Sequence, residues 1–295
     1  MARVLTPADA AAAEPVFVLA APRSGGRRLA RWLTGPQGRL NPWLERIAAA
    51  RAARGLAWRD RSDQWSALEA TQCSPWLQPV LTQYAAVAPR VSFEYASASL
   101  LRVAALAHWF PQARFVLVYR DVRETLSLML DGWLAARQPH ASGIQLPDGM
   151  HWNFALPPGW SAQCSRPLPE IVAWQWAKLM RIGLDMLTAL AGTRWCLAAY
   201  DQLLADPFGE ARRILGFLAL SPDRHPVPTQ RFLPAGRRSP DASLWQRHAD
   251  ALQTVAPIVA AQADRVVRLF ARSPQTRVSG GAGRPVQPDT GAPES

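Results

Sequence analysis

The sequence is poor in lysine and cysteine and lacks long apolar runs. Lys178 is the only lysine among 33 basic residues, and the three cysteines, Cys73, Cys164 and Cys196, stand far apart. Widely spaced cysteines in an odd number match no metal-ligand pattern and favour a reducing compartment, so we expect a cytoplasmic protein. No apolar run reaches the roughly 18 to 20 residues of a membrane-spanning helix, so no transmembrane segment is predicted.

The charged residues are mainly arginines and give a formal net charge of +11. Arginine binds phosphate and sulfate through two parallel hydrogen bonds, so the charge indicates an anionic partner: a nucleotide, a nucleic acid, a membrane surface or a sulfated product. A coding bias that raises arginine throughout the chain is the alternative. No nucleic-acid-binding motif accompanies the charge, and we expect no nucleic-acid partner.

The order of apolar segments predicts the fold class. At 295 residues the chain is long for one domain, and we expect a single domain over residues 1–272. Short apolar runs of strand length alternate with helical patterns; the predicted strands are 16–20, 91–95, 114–119 and 195–199, and the predicted helices are 99–110, 122–134 and 208–218. This alternation indicates an α/β fold with a mostly parallel central sheet flanked by helices.

Two segments depart from this alternation. Residues 137–169 are rich in Pro, Gly, Trp and His without periodicity, and a loop of this length in a compact domain is usually functional, so we expect acceptor recognition there. Residues 273–295 consist largely of Gly, Pro, Ser and Thr, which predicts a disordered tail.

Histidines and tryptophans offer weaker candidates. His140 and His151 lie in the irregular segment, where they could face a substrate, whereas His108 on a predicted helix is more typical of a structural histidine. Neither of the first two has a spacing that indicates a metal site. An apolar acceptor pocket could be formed by Trp152, Trp160, Trp174 and Trp176, although core packing is the expected role of the last two.

A glycine-rich turn follows the first predicted strand. The sequence VFVLA continues into Ala21-Pro22-Arg23-Ser24-Gly25-Gly26-Arg27-Arg28 and then a predicted helix. Glycines let the backbone approach an anion, and backbone N–H groups at a helix N-terminus bind it. The alternative is an ordinary turn. The motif GxxxxGK[ST] is absent, which argues against a P-loop kinase.

Three blocks of sequence carry a family resemblance. VFVLAAPRSGG resembles the loop P-[RK]-S-G-T-T that binds the 5′-phosphosulfate in sulfotransferases. FEYASASLLRVAALAHWFPQARFVLVYRDVRETL resembles the bacterial pattern E-K-[ST]-P-x-x-L-L-R, followed by F-P-x-A-[RK]-F and V-R-D-P-R. AYDQLLADPFGEARRILGFLAL resembles R-Y-E-D-L-x-x-D-P and the helix after it. The blocks are collinear over roughly residues 16–220.

The chain therefore resembles the sulfotransferases that use 3′-phosphoadenosine-5′-phosphosulfate (PAPS), which have a P-loop-like nucleotide-binding fold. The resemblance implies transfer of a sulfuryl group from PAPS to a hydroxyl or amine of a small-molecule, lipid or glycan acceptor, without a metal. It implies that the 5′-phosphosulfate is bound by Arg23, Ser24, Gly25 and Gly26, with Arg27 and Arg28 adding charge. It places the 3′-phosphate near Arg120, Ser127, Arg237 and Arg238.

Two of these residues have chemical roles in the expected reaction. Arg23 would neutralise charge on the oxygens of the breaking bond, and Glu94 falls on the position that acts as a general base in some members. Glu94 could instead pair with an arginine. Arg120 follows an apolar strand, where ligands of open α/β sheets bind, or it could form a surface salt bridge with Asp121 or Glu124.

The chain also departs from the family pattern. Gly26 and Arg27 replace two hydroxyl residues, and Tyr95 replaces a lysine. The family serine of the 3′-phosphate site falls on Leu128, and Ser127 lies about 100° away around a helix. A sulfotransferase-like protein that binds a nucleotide or another anion without turnover is therefore the alternative function.

Overall fold

The structure of the protein, a computed structural model, describes residues 14–34, 91–135, 144–220, 232 and 244–272. Within these residues four strands form one parallel sheet in the order β2-β1-β3-β4. The strands are β1 (Glu14–Ala20), β2 (Val91–Tyr95), β3 (Arg114–Tyr119) and β4 (Trp195–Ala199). The predicted α/β class with a parallel sheet is confirmed, and β1 begins two residues earlier than predicted.

The strand order determines where a ligand can bind. The chain passes from β1 to its neighbour β2 and then crosses to β3 on the other side of β1. The connections at the carboxyl ends of β1 and β3 therefore diverge, and the gap between them is the usual binding crevice of an open α/β sheet. In the register of β1, Phe17 lies beside Glu94 of β2 and Phe115 of β3.

Helices follow each described strand. The α-helices are α1 (Gly26–Thr34), α2 (Val103–Trp109), α3 (Val122–Ala135), α4 (Leu168–Thr188), α5 (Tyr200–Ala205), α6 (Pro207–Phe217) and α7 (Ala249–Arg272). Short 3₁₀ helices lie at Ser97–Leu101, Trp160–Gln163, Gly192–Arg194 and Leu244–His248. Asp121 caps α3, since its carboxylate accepts hydrogen bonds from the backbone N–H groups of Arg123 and Glu124 at 2.9 and 3.2 Å.

One predicted helix is wrong in form. Residues 99–110 were expected to make a single helix, but the chain makes a 3₁₀ helix and then α2, with the break at Arg102 (φ −131°, ψ 11°). Leu100 and Leu101 are fully buried, and Leu100 packs so closely on α4 that a methyl group added at Gly183 would lie 2.5 Å from it. Packing against α4 thus overrides the local helical pattern.

The two faces of the sheet carry two separate apolar cores. Phe17 and Leu19 point to the face covered by α2, α3, α4 and α7, whereas Val16, Val18 and Ala20 point to the face covered by α1, α5 and α6. Strands buried on both faces explain why the sequence shows continuous apolar runs.

The described part of the chain contains no helix with the length and apolar character needed to cross a membrane. The segment predicted to be irregular is described from residue 144 onward: it forms an antiparallel bridge between Gln145 and His151 and then a 3₁₀ helix before α4 begins at Leu168. The predicted tail, residues 273–295, lies outside the described residues.

Candidate anion-binding site at the carboxyl edge of the sheet

The loop between β1 and α1 has the backbone shape of an anion cradle. The N–H of Ser24 donates to the carbonyl of Ala21 at 3.2 Å, which closes a turn. Arg23 and Gly25 adopt left-handed conformations, with φ of 66° and 92°. A left-handed arginine is uncommon and clusters at functional sites, and alternating backbone conformations of this kind direct successive N–H groups toward one concave side.

Both glycines of the loop are in close contact with tyrosines. A methyl group added at Gly25 would lie 2.4 Å from Cε2 of Tyr200, at the start of α5. One added at Gly26 would lie 2.4 Å from Cε2 of Tyr95 and 2.6 Å from Cβ of Ala20. The loop can therefore take no side chain at either position without displacing a neighbour.

Arg23 lies against α3 rather than along β1. Its side chain is exposed, and its guanidinium carbon lies 5.8 Å from the centre of the Phe154 ring. A methyl group added at Gly132 of α3 would lie 3.1 and 3.2 Å from Nη2 and Nε of Arg23, and 2.6 Å from Cζ of Phe154. The absence of a side chain at Gly132 allows the arginine and the ring to meet on the helix surface.

A buried polar network holds the segment that carries this ring. Gln175 of α4 is fully buried; its amide donates to the carbonyls of Asn153 and Ala155 at 2.9 and 2.7 Å and accepts from the indole N–H of Trp133 at 3.3 Å. The Asn153 amide donates to the carbonyl of Gly132 at 2.9 Å. These bonds join α4, α3 and residues 153–155 into one unit, which fixes the ring above the arginine.

Ser24 connects the loop to the first turn of α3. Its hydroxyl oxygen lies 3.4 Å from that of Thr125, and the Thr125 hydroxyl donates to the carbonyl of Arg120 at 3.4 Å. Ser24 and Thr125 are both buried. Ser127, the predicted 3′-phosphate residue, is also buried on α3, two positions beyond Thr125. A role of Ser127 at the 3′-phosphate stays a prediction.

Arg120 is buried where β3 ends. Only 4% of its side chain is exposed; its Nε donates to Glu124 at 2.7 Å, and its guanidinium carbon lies 4.7 Å from the centre of the Tyr200 ring. Because Tyr200 also packs on Gly25, Arg120 is linked to the loop through this ring. The predicted alternative of an ion pair with Glu124 is present, in a buried rather than a surface position.

Glu94 and Tyr95 point to opposite faces at the end of β2. Glu94 is 3% exposed and lies beside Phe17 on the face covered by α3 and α4. Tyr95 is half-buried toward α1, with the guanidinium carbon of Arg27 lying 6.0 Å from its ring centre. Burial raises the pKa of Tyr95 to about 12, although the charges of Arg27 and Arg23 act in the opposite direction, so the phenol stays protonated at neutral pH.

The sequence profile of the sulfotransferase family matches residues 15–224, which include the loop, β2, β3, β4 and all of β1 except its first residue. The chain belongs to the sulfotransferase family. The resemblance stated from the three sequence blocks is thereby confirmed. No curated protein sequence shows significant similarity to the chain.

Three solved sulfotransferase structures are similar to this chain. The sulfotransferase STF9 from Mycobacterium avium superimposes with a TM-score of 0.55 at 14% identity, over 88% of this chain and 78% of that one. The sulfotransferase STF1 from Mycobacterium tuberculosis H37Rv gives 0.49 at 15% identity, over 86% and 78% of the two chains. The sulfotransferase domain from the curacin biosynthetic pathway gives 0.49 at 12%, over 88% and 98%. The likeness to STF9 shows a sulfotransferase fold.

Of the other arginines predicted to bind the nucleotide, Arg28 lies in the described part of the chain. Arg28 donates to the carbonyl of Phe232 at 3.5 Å, and its guanidinium carbon lies 5.9 Å from the centre of that ring, which also makes an edge contact with Trp32. Arg28 therefore holds a buried aromatic residue beside α1. Arg237 and Arg238 lie outside the described residues, as does His140.

The tryptophans mainly fill the core. Trp152 and Trp176 are fully buried, and Trp152 makes edge contacts with Trp133 and Trp160 at ring separations of 5.4 and 5.7 Å. Trp174 is half-buried and packs against the same core. Core packing, expected for Trp174 and Trp176, therefore applies to Trp152 as well, and Trp160 lies at the edge of this cluster.

Two histidines occupy different environments. His108 is exposed on α2. His151 is half-buried in the bridge with Gln145, and its Nδ1 has no hydrogen-bond partner among the described residues. No group of three or more His, Cys, Asp or Glu residues in the described part of the chain is arranged to hold a metal ion.

Proposed function

We propose that this sulfotransferase-family chain transfers a sulfuryl group from PAPS to the hydroxyl or amine of a small-molecule, lipid or glycan acceptor. The observation that supports this best is the loop of residues 21–25. It lies at the crevice between β1 and β3, contains a left-handed arginine and a left-handed glycine, and leads into the N-terminus of a helix.

The charges around this loop fit a 5′-phosphosulfate. Arg23 and Arg27 lie in the loop and the first turn of α1, and that turn contains no acidic residue. Arg28 lies in the same turn and adds positive charge, although its guanidinium donates to the Phe232 carbonyl. A helix N-terminus presents unpaired N–H groups and partial positive charge, which adds to the arginines. The donor group carries negative charge on both phosphate and sulfate, so this set of donors matches it.

Two side chains have chemical roles in the proposed transfer of the sulfuryl group. The acceptor oxygen attacks sulfur, the bond from sulfur to the bridging phosphate oxygen breaks, and the acceptor loses its proton. Arg23 would neutralise the charge that grows on the bridging and sulfuryl oxygens, and Glu94 would accept the proton. Both lie toward the face covered by α3: Arg23 contacts Gly132, and Glu94 is beside Phe17.

Recognition of the 3′-phosphate is assigned to Arg120. Its place at the end of β3 suits a nucleotide phosphate, but its pairing with Glu124 means that a ligand must share or take over the guanidinium. This pairing also favours the second candidate function, a nucleotide-binding protein without turnover.

Calorimetric titration with 3′-phosphoadenosine-5′-phosphate and with adenosine 5′-phosphate tests the donor assignment. One charged hydrogen-bonded contact contributes about 1.5 to 3 kcal/mol, so the 3′-phosphorylated nucleotide should bind at least about tenfold more tightly. Equal affinities would contradict PAPS as the donor.

Single-turnover sulfuryl transfer, or slow donor hydrolysis, then tests catalysis. Glu94→Gln should lower the rate by about 10² to 10⁴ while donor affinity stays within a few-fold. Glu170→Gln, an exposed carboxylate at the start of α4, is the matched control and should have no effect. An equally fast Glu94→Gln variant removes Glu94 from the mechanism. Intact nucleotide binding without turnover in the wild type would favour the binding protein.

A further inference from the structure

Two departures from the family pattern, Gly26 and Tyr95, are in contact in this chain. A methyl group added at Gly26 would lie 2.4 Å from Cε2 and 2.9 Å from Cδ2 of the Tyr95 ring. The ring therefore fills the space into which a side chain at position 26 would project. The glycine and the tyrosine depend on each other: a larger residue at 26 displaces the ring.

The contact is made by one edge of the ring. Cε2 and Cδ2 are neighbouring atoms on one side of the ring, so this side of the Tyr95 ring lies against Gly26. Gly26 is the first residue of α1, where the backbone N–H groups have no partner within the helix. The ring of Tyr95 is thus placed next to the anion-binding end of the loop.

Positive charge surrounds the same phenol. Arg27 lies over its ring at 6.0 Å, and the charges of both Arg27 and Arg23 act on its hydroxyl. The hydroxyl of Tyr95 and the two guanidinium groups consequently form a cluster of donors around the loop. A cluster of donors without an acidic partner in the first turn of α1 suits an anion with several oxygens.

We infer that the Tyr95 hydroxyl donates a hydrogen bond to the 5′-phosphosulfate of the donor, in place of the hydroxyl side chain that the family pattern has at position 26. Arg27, stacked on the ring, supplies positive charge beside it. This inference rests on the proposed function. Because the pKa of Tyr95 is about 12, the phenol carries its proton throughout the neutral range and can donate.

A second tyrosine in the chain provides a matched control. Tyr119 is also half-buried at the end of a strand, and burial also raises its pKa to about 12. Its ring contacts Phe270 of α7, with the ring centres 6.1 Å apart. Tyr119→Phe therefore removes a hydroxyl from a comparable environment away from the loop glycines.

The experiment compares Tyr95→Phe with Tyr119→Phe by calorimetric titration and thermal unfolding. The probes are 3′-phosphoadenosine-5′-phosphate and adenosine 5′-phosphate, which share the 5′-phosphate. Tyr95→Phe should weaken binding of both nucleotides by the same factor, about tenfold or more, because a hydrogen bond to a charged group is lost. Its melting temperature should stay that of the wild type. Tyr119→Phe should bind both nucleotides with wild-type affinity.

The outcomes separate this inference from the proposed function. Unchanged affinities in Tyr95→Phe overturn the inference even if the wild type prefers the 3′-phosphorylated nucleotide. A fall in melting temperature together with affinity also overturns it, since the hydroxyl would then act through a hydrogen bond within the protein. If the wild type shows no such preference, the donor assignment fails, and equal weakening of both nucleotides in Tyr95→Phe still supports the contact with a 5′-phosphate.

Discussion

The ion pair between Arg120 and Glu124 allows the structural and the ligand-binding roles of Arg120 to be separated by one substitution. Glu124→Gln removes the negative charge but keeps an oxygen that can accept from Arg120 Nε. The pair is largely buried, with 4% of the arginine side chain and 15% of the glutamate side chain exposed, and the contact is 2.7 Å long.

The expected destabilisation follows from this burial. Breaking a fully buried pair costs about 3 to 5 kcal/mol, and the retained hydrogen bond reduces this to about 1 to 3 kcal/mol. At about 2 to 4 °C per kcal/mol for a protein of this size, the melting temperature should fall by about 2 to 12 °C. Glu170→Gln is the control, because Glu170 pairs with Arg166 at the same spacing on an exposed surface and its loss should cost at most about 1 kcal/mol.

Glu124→Gln should strengthen nucleotide binding even though it lowers stability. Without the carboxylate, Arg120 is released from its competitor and one negative charge is removed from the 3′-phosphate site. A gain of about 1 kcal/mol corresponds to about fivefold tighter binding of 3′-phosphoadenosine-5′-phosphate, with adenosine 5′-phosphate unaffected. Thermal unfolding and calorimetry measure the two effects. Lower stability with no gain in the ratio of the two affinities would refute a 3′-phosphate role for Arg120.

Three further outcomes are expected. Gly26→Ala should lower the free energy of unfolding by about 1 to 3 kcal/mol in chemical denaturation, because its methyl group overlaps two neighbouring side chains. Gly216→Ala is the control: open space surrounds this position in α6, and the substitution should raise the free energy of unfolding by about 0.5 to 1 kcal/mol. Equal effects of the two substitutions would contradict the close packing at Gly26. Gln175→Leu removes the partner of the Trp133 indole N–H and of the Asn153 carbonyl, whereas the Ala155 carbonyl still accepts from the Trp152 indole N–H. The substitution should cost about 2 to 4 kcal/mol by the same measurement, and a cost below about 1 kcal/mol would show that the network is not stabilising. Burial raises the pKa of Cys196 to about 12, so mass spectrometry should find it alkylated by iodoacetamide at pH 8 only after unfolding; rapid alkylation of the native protein would contradict its burial.

The sheet and its loop are predictable from the sequence because their signals are local. A strand buried on both faces needs an uninterrupted apolar run, and β2, β3 and β4 have the predicted bounds. The loop is predicted by Gly25 and Gly26, which follow such an apolar run closely. The family pattern adds the position of Arg120, and the structure places it at the edge of the sheet where the loop also lies.

Contacts between distant segments are what the sequence could not predict. Thr125 meets Ser24 across 101 positions, and nothing in its neighbourhood distinguishes it from Ser127. The left-handed conformation of Phe154 (φ 63°) is imposed by hydrogen bonds that residues 153–155 make with other segments. The close approach at Gly132 is likewise visible only after α3 and the irregular segment have packed together.

The long helix α7 and the break before α2 could not be predicted from the sequence, because in both places packing outweighs the local sequence preference. α7 runs over 24 residues and contains Pro257, which removes a backbone donor and normally ends a helix. Its buried residues, Leu252, Val255, Val259 and Val266, pack into the core shared with α3 and α4, and this burial outweighs the local cost of the proline.

The contact of Phe154 with Arg23 also constrains how the proposed acceptor preference of this sulfotransferase-family protein could be changed. The segment expected to meet the acceptor contains Phe154, and the loop expected to meet the donor contains Arg23, so the two cannot be exchanged as independent modules. A segment grafted from another sulfotransferase would have to bring an aromatic side chain at this position and the amide that anchors it to Gly132. The proposed acceptor preference and donor affinity are therefore expected to change together when this segment is replaced.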